Sequence, residues 1–130
     1  MRVWTMALAA CLPVLAAAGQ CDSLLQLKLP ETSVTAAHLI PPGGMVDTSS
    51  PQATSLYPRL PAICRVQAVI RPSSDSQIQI EVWMPESGWN GKMLGVGGGG
   101  YAGQIPRLRM VQPVLQGYAA ASTDRDTMET

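Results

Sequence analysis

The sequence predicts an α/β fold, and three stretches carry that prediction. Residues Cys64–Arg71 and Gln77–Met84 alternate apolar and polar around the turn cluster Pro72–Ser76, as the two arms of an antiparallel hairpin do. Met93, Leu94 and Val96 form a short apolar run that leads straight into four consecutive glycines, Gly97–Gly100. Leu108, Val111, Val114 and Leu115 then recur at helical spacing up to Gly117, a helix stop, and the small-residue run Tyr118–Thr123 follows as a buried-type strand. The order is hairpin, strand, glycine turn, helix, strand. Its last unit has the strand–helix–strand form of a parallel sheet.

Within the hairpin, Val66, Ala68 and Ile70 share one face, and Ile78, Ile80, Val82 and Met84 share one face of the second arm. These are expected to turn inward, with the intervening polar residues outward. A second turn, Pro85–Gly91, contains the strong turn dipeptide Asn90-Gly91. Pro106 is placed to open the helix.

A chain of 130 residues suffices for one small domain with a single core. Hydrophobic residues make up 46% and charged residues only 14%, and the formal net charge is zero. There is no basic field to gather nucleic acid or an anionic membrane, so neither is expected as a partner. Phe is absent, which leaves Trp, Tyr and the aliphatics to fill the core.

Residues 1–18 have the arrangement of a secretory signal peptide. Met1-Arg2 is a short positive start, Val3–Leu15 is almost wholly apolar, and Ala16–Ala18 supplies small residues at cleavage spacing. The apolar run is short for a membrane span, so a secreted protein with no membrane contact after cleavage is expected. Ala18 is the preferred cleavage site, Gln20 is a close rival, and a retained N-terminal anchor is the plainer alternative. Cys11 leaves with the leader, and Cys21 and Cys64 remain. Two cysteines in an oxidising compartment most simply pair with each other, so a Cys21–Cys64 disulfide is predicted. Two thiols and the distant His38 do not make a metal ligand set, and no metal or cofactor is expected. Residues 19–63 read as an irregular arm tied down by that disulfide. Leu24, Leu25, Leu27 and Leu29 suggest a helical turn or edge strand, and Glu31–Thr35 alternates weakly. Pro58 and Pro61 argue against a helix before Cys64. Residues 64–130 are the expected ordered part.

Chemistry concentrates at the glycines. Only glycine lets a backbone turn freely through positive φ while bringing its N–H groups close to a ligand. At the end of a strand such a turn offers amide donors to an oxygen carrying negative charge. Gly95–Gly100 also satisfies the dinucleotide pattern G-x-G-x-x-G, but a dinucleotide site needs the helix to start inside the motif, and Tyr101–Ile105 intervene. No Lys-Ser/Thr follows the glycines, which excludes a phosphate loop of that kind. In hydrolases of the α/β type, one oxyanion donor comes from a glycine-rich loop after the third strand. The order of elements here fits that plan, and a tight packing turn is the plainer alternative.

Three linked blocks, Cys64-Arg-Val, Pro72–Pro85 and Gly88–Lys92, resemble the tannase and feruloyl esterase family. Val96–Gly103 and Gly117–Asp124 continue the resemblance in order and spacing, so that it covers roughly residues 21–124. It implies the N-terminal part of a longer secreted α/β-hydrolase, with an incomplete sheet in this chain. It further implies hydrolysis of small aromatic-acid esters through a Ser–His–Asp triad, with no cofactor. Gly99 and Gly100 would then donate their backbone N–H groups to the oxyanion, with Gly97 and Gly98 shaping the turn. The resemblance also implies a disulfide between an early cysteine and the one before the hairpin. Two departures stand out: Gly98 occupies a position where a side chain is common, and Arg125–Thr130 replaces the expected Thr-Gly-His continuation.

The family's Gly-Cys-Ser-x-Gly-Gly elbow does not occur in these 130 residues, nor does any G-x-S-x-G. His38 lies in the arm, where a solvent-facing role fits better than a catalytic base. Asp124 and Asp126 are readable as paired carboxylates but more simply as solvated loop acids. Trp83 and Trp89 are readable as an aryl-stacking platform or as packed side chains. The expected function is therefore an esterase portion that contributes the oxyanion loop and is inactive alone. The alternative is a non-catalytic secreted module holding an aryl ligand with Trp89, Tyr101 and the glycine turn.

Overall fold

A computed structural model describes residues 19–97 and 103–124. Five strands form one mixed sheet: β1 (Thr32–Ile40), β2 (Ile63–Ile70), β3 (Ile78–Pro85), β4 (Met93–Gly95) and β5 (Ala119–Thr123). Their spatial order is β1-β2-β3-β5-β4. All neighbours pair antiparallel except β4, which lies parallel to β5. Helix α1 (Pro51–Leu56) and the 3-10 turn Tyr57–Arg59 precede β2, and helix α2 (Arg107–Leu115) makes the crossover from β4 to β5. The hairpin and the strand–helix–strand unit are thus where the sequence placed them.

Residues 19–63 are more regular than expected. β1 pairs with β2 along its whole length, with one bulge at Thr35, where Val34 faces Ala68 but Ala36 faces Gln67. The Thr35 hydroxyl donates to the Gln67 carbonyl at 3.2 Å. Ala36-Ala37-His38 carries little strand propensity of its own, and the ladder supplied by β2 decides its conformation. α1 forms despite Pro58 and Pro61. Ser50 caps it by accepting from the Ala53 N–H at 3.1 Å, and Pro51 occupies the first helical position, where its missing N–H costs nothing.

The facing of the hairpin reverses the expectation. The core forms on the side of Ile63 and Trp83, which pack with Tyr57, Met110, Val111, Val114 and Ala120 under α1 and α2. Glu81 points to that same side and is fully buried. Ile78, Ile80, Val82 and Met84 lie on the opposite side and are only half-buried. There Ile80, Val82 and Met84 line a cavity of about 370 Å³ with Leu24, Leu27 and Leu29. Alternation reveals which residues share a face, but not which face the helices cover.

Two local devices fix the ends of this frame. The disulfide joins Cys21 to Cys64, as predicted, with Cα atoms 5.6 Å apart. It anchors the arm to the start of β2. At the end of α2, Gly117 adopts φ +88°, its N–H donates to Val114 O at 3.0 Å, and the Tyr118 N–H donates to Pro113 O at 3.0 Å. That pair of bonds is a Schellman motif, which closes the helix and turns the chain into β5.

Candidate active site

β4 and β5 run parallel, so their carboxyl ends share one rim of the sheet. The last ladder bond is the Val96 N–H donating to Ala121 O at 2.8 Å, and the chain leaves the sheet at Gly97. The glycine turn therefore departs from the carboxyl rim. Gly98, Gly99, Gly100, Tyr101 and Ala102 lie outside the described residues, so the two assigned oxyanion donors, Gly99 and Gly100, do as well. The two ends of the turn are described in full.

Side chains from β3, β5 and α2 hold both ends. At the entry, the buried Ser122 hydroxyl donates to Val96 O at 2.6 Å, and Arg109 Nη1 donates to Gly97 O at 3.3 Å. At the exit, Gly103 adopts φ +57° and the chain passes Pro106 into α2, whose first residue, Arg107, donates from Nε to Glu81 Oε2 at 2.8 Å. Glu81 Oε1 accepts from Arg65 Nε at 2.6 Å and from Trp83 Nε1 at 2.8 Å. Burial pushes the Glu81 carboxyl up, but the hydrogen bonds from Arg65, Trp83 and Arg107 outweigh it and hold the group below its ordinary value. Both carboxylate oxygens are hydrogen-bonded, two of the three donors being guanidinium groups that favour the ionised form. Among the described residues, no buried side-chain polar atom lacks a partner.

Beside the exit lies a mixed polar pocket of about 380 Å³, lined by Asp47, Tyr57, Gln104, Ile105, Arg107 and Arg109. Hydrogen bonds from Ser49 hold the Asp47 carboxyl below its usual range, and burial pushes the Tyr57 phenol up. Among the described residues there is no group of three His, Cys, Asp or Glu able to hold a metal ion.

The sequence profile described as tannase and feruloyl esterase matches residues 64–127. That span takes in the hairpin, the glycine turn and the crossover. These residues belong to the tannase and feruloyl esterase family. An uncharacterized esterase of Xanthomonas campestris is 42% identical over 118 residues, which is 91% of this chain and 20% of that protein. Feruloyl esterase C of Talaromyces stipitatus is 29% identical over 110 residues, 82% of this chain and 21% of that one. The crystal structure of feruloyl esterase B from Aspergillus oryzae superposes with a TM-score of 0.71 at 24% identity, over 87% of this chain and 22% of that one. The fold is that of the α/β-hydrolase sheet in such esterases. The chain spans about a fifth of the length of the curated relatives it matches.

Against this family frame, the other residues singled out in the sequence fall into structural roles. Trp83 is fully buried, edge-on to Tyr57 with ring centroids 6.4 Å apart. Trp89 is 59% exposed and donates to Lys92 O at the amino end of β4. Gly97, by contrast, follows the last ladder bond at the carboxyl end of β4. His38 is exposed on β1, its Nδ1 3.9 Å from an Asp22 carboxylate oxygen. Asp124 extends the β3–β5 ladder: its Oδ1 accepts from the Gln79 N–H at 2.7 Å, and its own N–H donates to Gln79 O at 3.0 Å. Asp126 lies outside the described residues. Glu81 was missed because an acid in an alternating strand reads as solvent-facing. The signal that finds it is Arg65, but only once the β2–β3 register places Arg65 opposite Trp83.

Proposed function

We propose that this chain is part of an exported carboxylic ester hydrolase acting on aromatic-acid esters, and that its glycine turn supplies backbone N–H donors to the tetrahedral oxyanion. The observation that carries the reading is the departure of the glycine run from the carboxyl rim of two parallel strands, beyond the last ladder bond. In this reading Gly99 and Gly100 supply two backbone N–H donors, which stabilise the charge that develops on the carbonyl oxygen. The family membership of residues 64–127 and the named feruloyl esterase relatives support the ester chemistry and the aryl substrate class. The apolar leader and the Cys21–Cys64 disulfide support export. Without a nucleophile elbow among its 130 residues, the polypeptide alone turns over no ester.

The test replaces the matching segment of the Xanthomonas campestris esterase with residues 19–124. The chimera is expected to hydrolyse methyl ferulate or methyl gallate, and the isolated 130-residue chain is not. Gly99→Pro or Gly100→Pro in the chimera removes one N–H and should lower kcat by roughly 100- to 1,000-fold with KM little changed. Turnover by the isolated chain, or full kcat in both proline variants, refutes the proposal.

A further inference from the structure

Glu81 and Ser122 face each other across the β3–β5 ladder, and each reaches a different end of the same turn. Ser122 is buried and its hydroxyl holds Val96 O at the entry, 2.6 Å away. Glu81 is fully buried and holds Arg107 Nε at the exit, 2.8 Å away. The two contacts are sequence-remote, at separations of 26 residues each, yet they start from one cross-strand pair. Arg65 and Trp83 occupy the other Glu81 oxygen and fix the direction of the carboxylate. The grip therefore has a rigid base in the core and two short arms.

From this geometry we infer that the Glu81–Ser122 pair is a positioning clamp for the glycine turn. It sets the distance between the point where the chain leaves β4 and the point where it enters α2. Neither residue touches a reacting atom, so both are positioning residues, and their effect on chemistry rests on the oxyanion reading above. The physical reason for such a clamp is that glycine is the residue with the most backbone freedom to lose. Preorganised donors stabilise an oxyanion only when their position is fixed beforehand, and in the oxyanion reading those donors lie between the two held ends.

The test uses amide hydrogen exchange on the 130-residue chain, with Ser122→Ala, Ser122→Thr and Arg107→Ala. Ser122→Ala removes one atom and Arg107 is 40% exposed, and protection in the β2–β3 hairpin reports whether either variant loosens the core. Ser122→Ala is expected to speed exchange at Val96 and Gly97, and Arg107→Ala at Gly103–Arg109, each by roughly tenfold for one lost hydrogen bond. The β2–β3 hairpin should keep its protection, and Ser122→Thr, which retains the hydroxyl, should restore the native rates at Val96 and Gly97. Unchanged exchange at both ends, or an equal rise across the hairpin, overturns the clamp. In the chimera, the same alanine variants should lower kcat roughly tenfold at constant KM, and Ser122→Thr should recover it. If Gly99→Pro lowers kcat but neither alanine variant does, the clamp fails and the oxyanion reading stands. If the proline variants are fully active while exchange responds as expected, the oxyanion reading fails and the clamp survives as a feature of the fold.

Discussion

Replacing Glu81 by Gln tests the central electrostatic arrangement of this fold with almost no change in volume. In the native chain three donors converge on one carboxylate: Arg65 Nε and Trp83 Nε1 on Oε1, and Arg107 Nε on Oε2. Glutamine offers one acceptor and one NH₂ group, so at least one of these donors must face another donor. Removing one partner of a buried ion pair costs about 3–5 kcal/mol when the remaining charge stays buried. Here the side chains of Arg65 and Arg107 are 26% and 40% exposed, so water relieves part of that loss. The expected destabilisation at neutral pH is therefore about 2–3 kcal/mol, read from urea unfolding followed by tryptophan fluorescence. The pH dependence supplies an independent check. The folded Glu81 carboxyl sits below its ordinary value, so the folded state binds its proton less readily than the unfolded chain. Its stabilisation is complete above the ordinary glutamate value of about 4.3 and is lost as pH falls through that value toward the lowered one. Glu81→Gln should remove this acid-side decline. A loss below ~0.5 kcal/mol at neutral pH, or an acid slope identical to that of the native protein, would refute the reasoning.

Further predictions concern the disulfide, the helix stop and the buried tryptophan. Replacing Cys21 and Cys64 together by Ala opens a loop of 43 residues and should cost about 4 kcal/mol, measured by urea unfolding under non-reducing conditions. Gly117→Ala places a Cβ 3.0 Å from Gly88 O at a residue with φ +88°, and should lower stability by about 1–2 kcal/mol without altering the β2–β3 exchange pattern. Trp83→Phe removes the indole donor to Glu81 and part of the core volume, for an expected loss of about 2–3 kcal/mol by the same unfolding assay.

Much of the fold follows from local pattern. The alternation in Cys64–Arg71 and Gln77–Met84 located β2 and β3 because a strand's side chains repeat every two residues. Leu108, Val111 and Val114 with Gly117 located α2 and its end, because a helical stripe and a left-handed stop are both properties of neighbouring residues. The cysteine pair followed from counting and compartment. β1 was less legible, since Ala36-Ala37-His38 becomes a strand only through the β2 ladder. Helix α1 had a readable signal in Ser50-Pro51, whose cap and first-turn roles outweigh the prolines that follow.

What the sequence by itself determined is the order of elements, the pairing of Cys21 with Cys64, and the place of the glycine run between a strand and a helix. The tertiary structure decided which face of the hairpin became the core, and so turned Glu81 inward between Arg65 and Arg107. It also decided that Trp89 bonds Lys92 O at the amino end of β4 while Val96 makes the last ladder bond at its carboxyl end. The physical reason is that periodicity is a local property, whereas the choice of buried face and the meeting of remote charges depend on helices and registers contributed by distant parts of the chain.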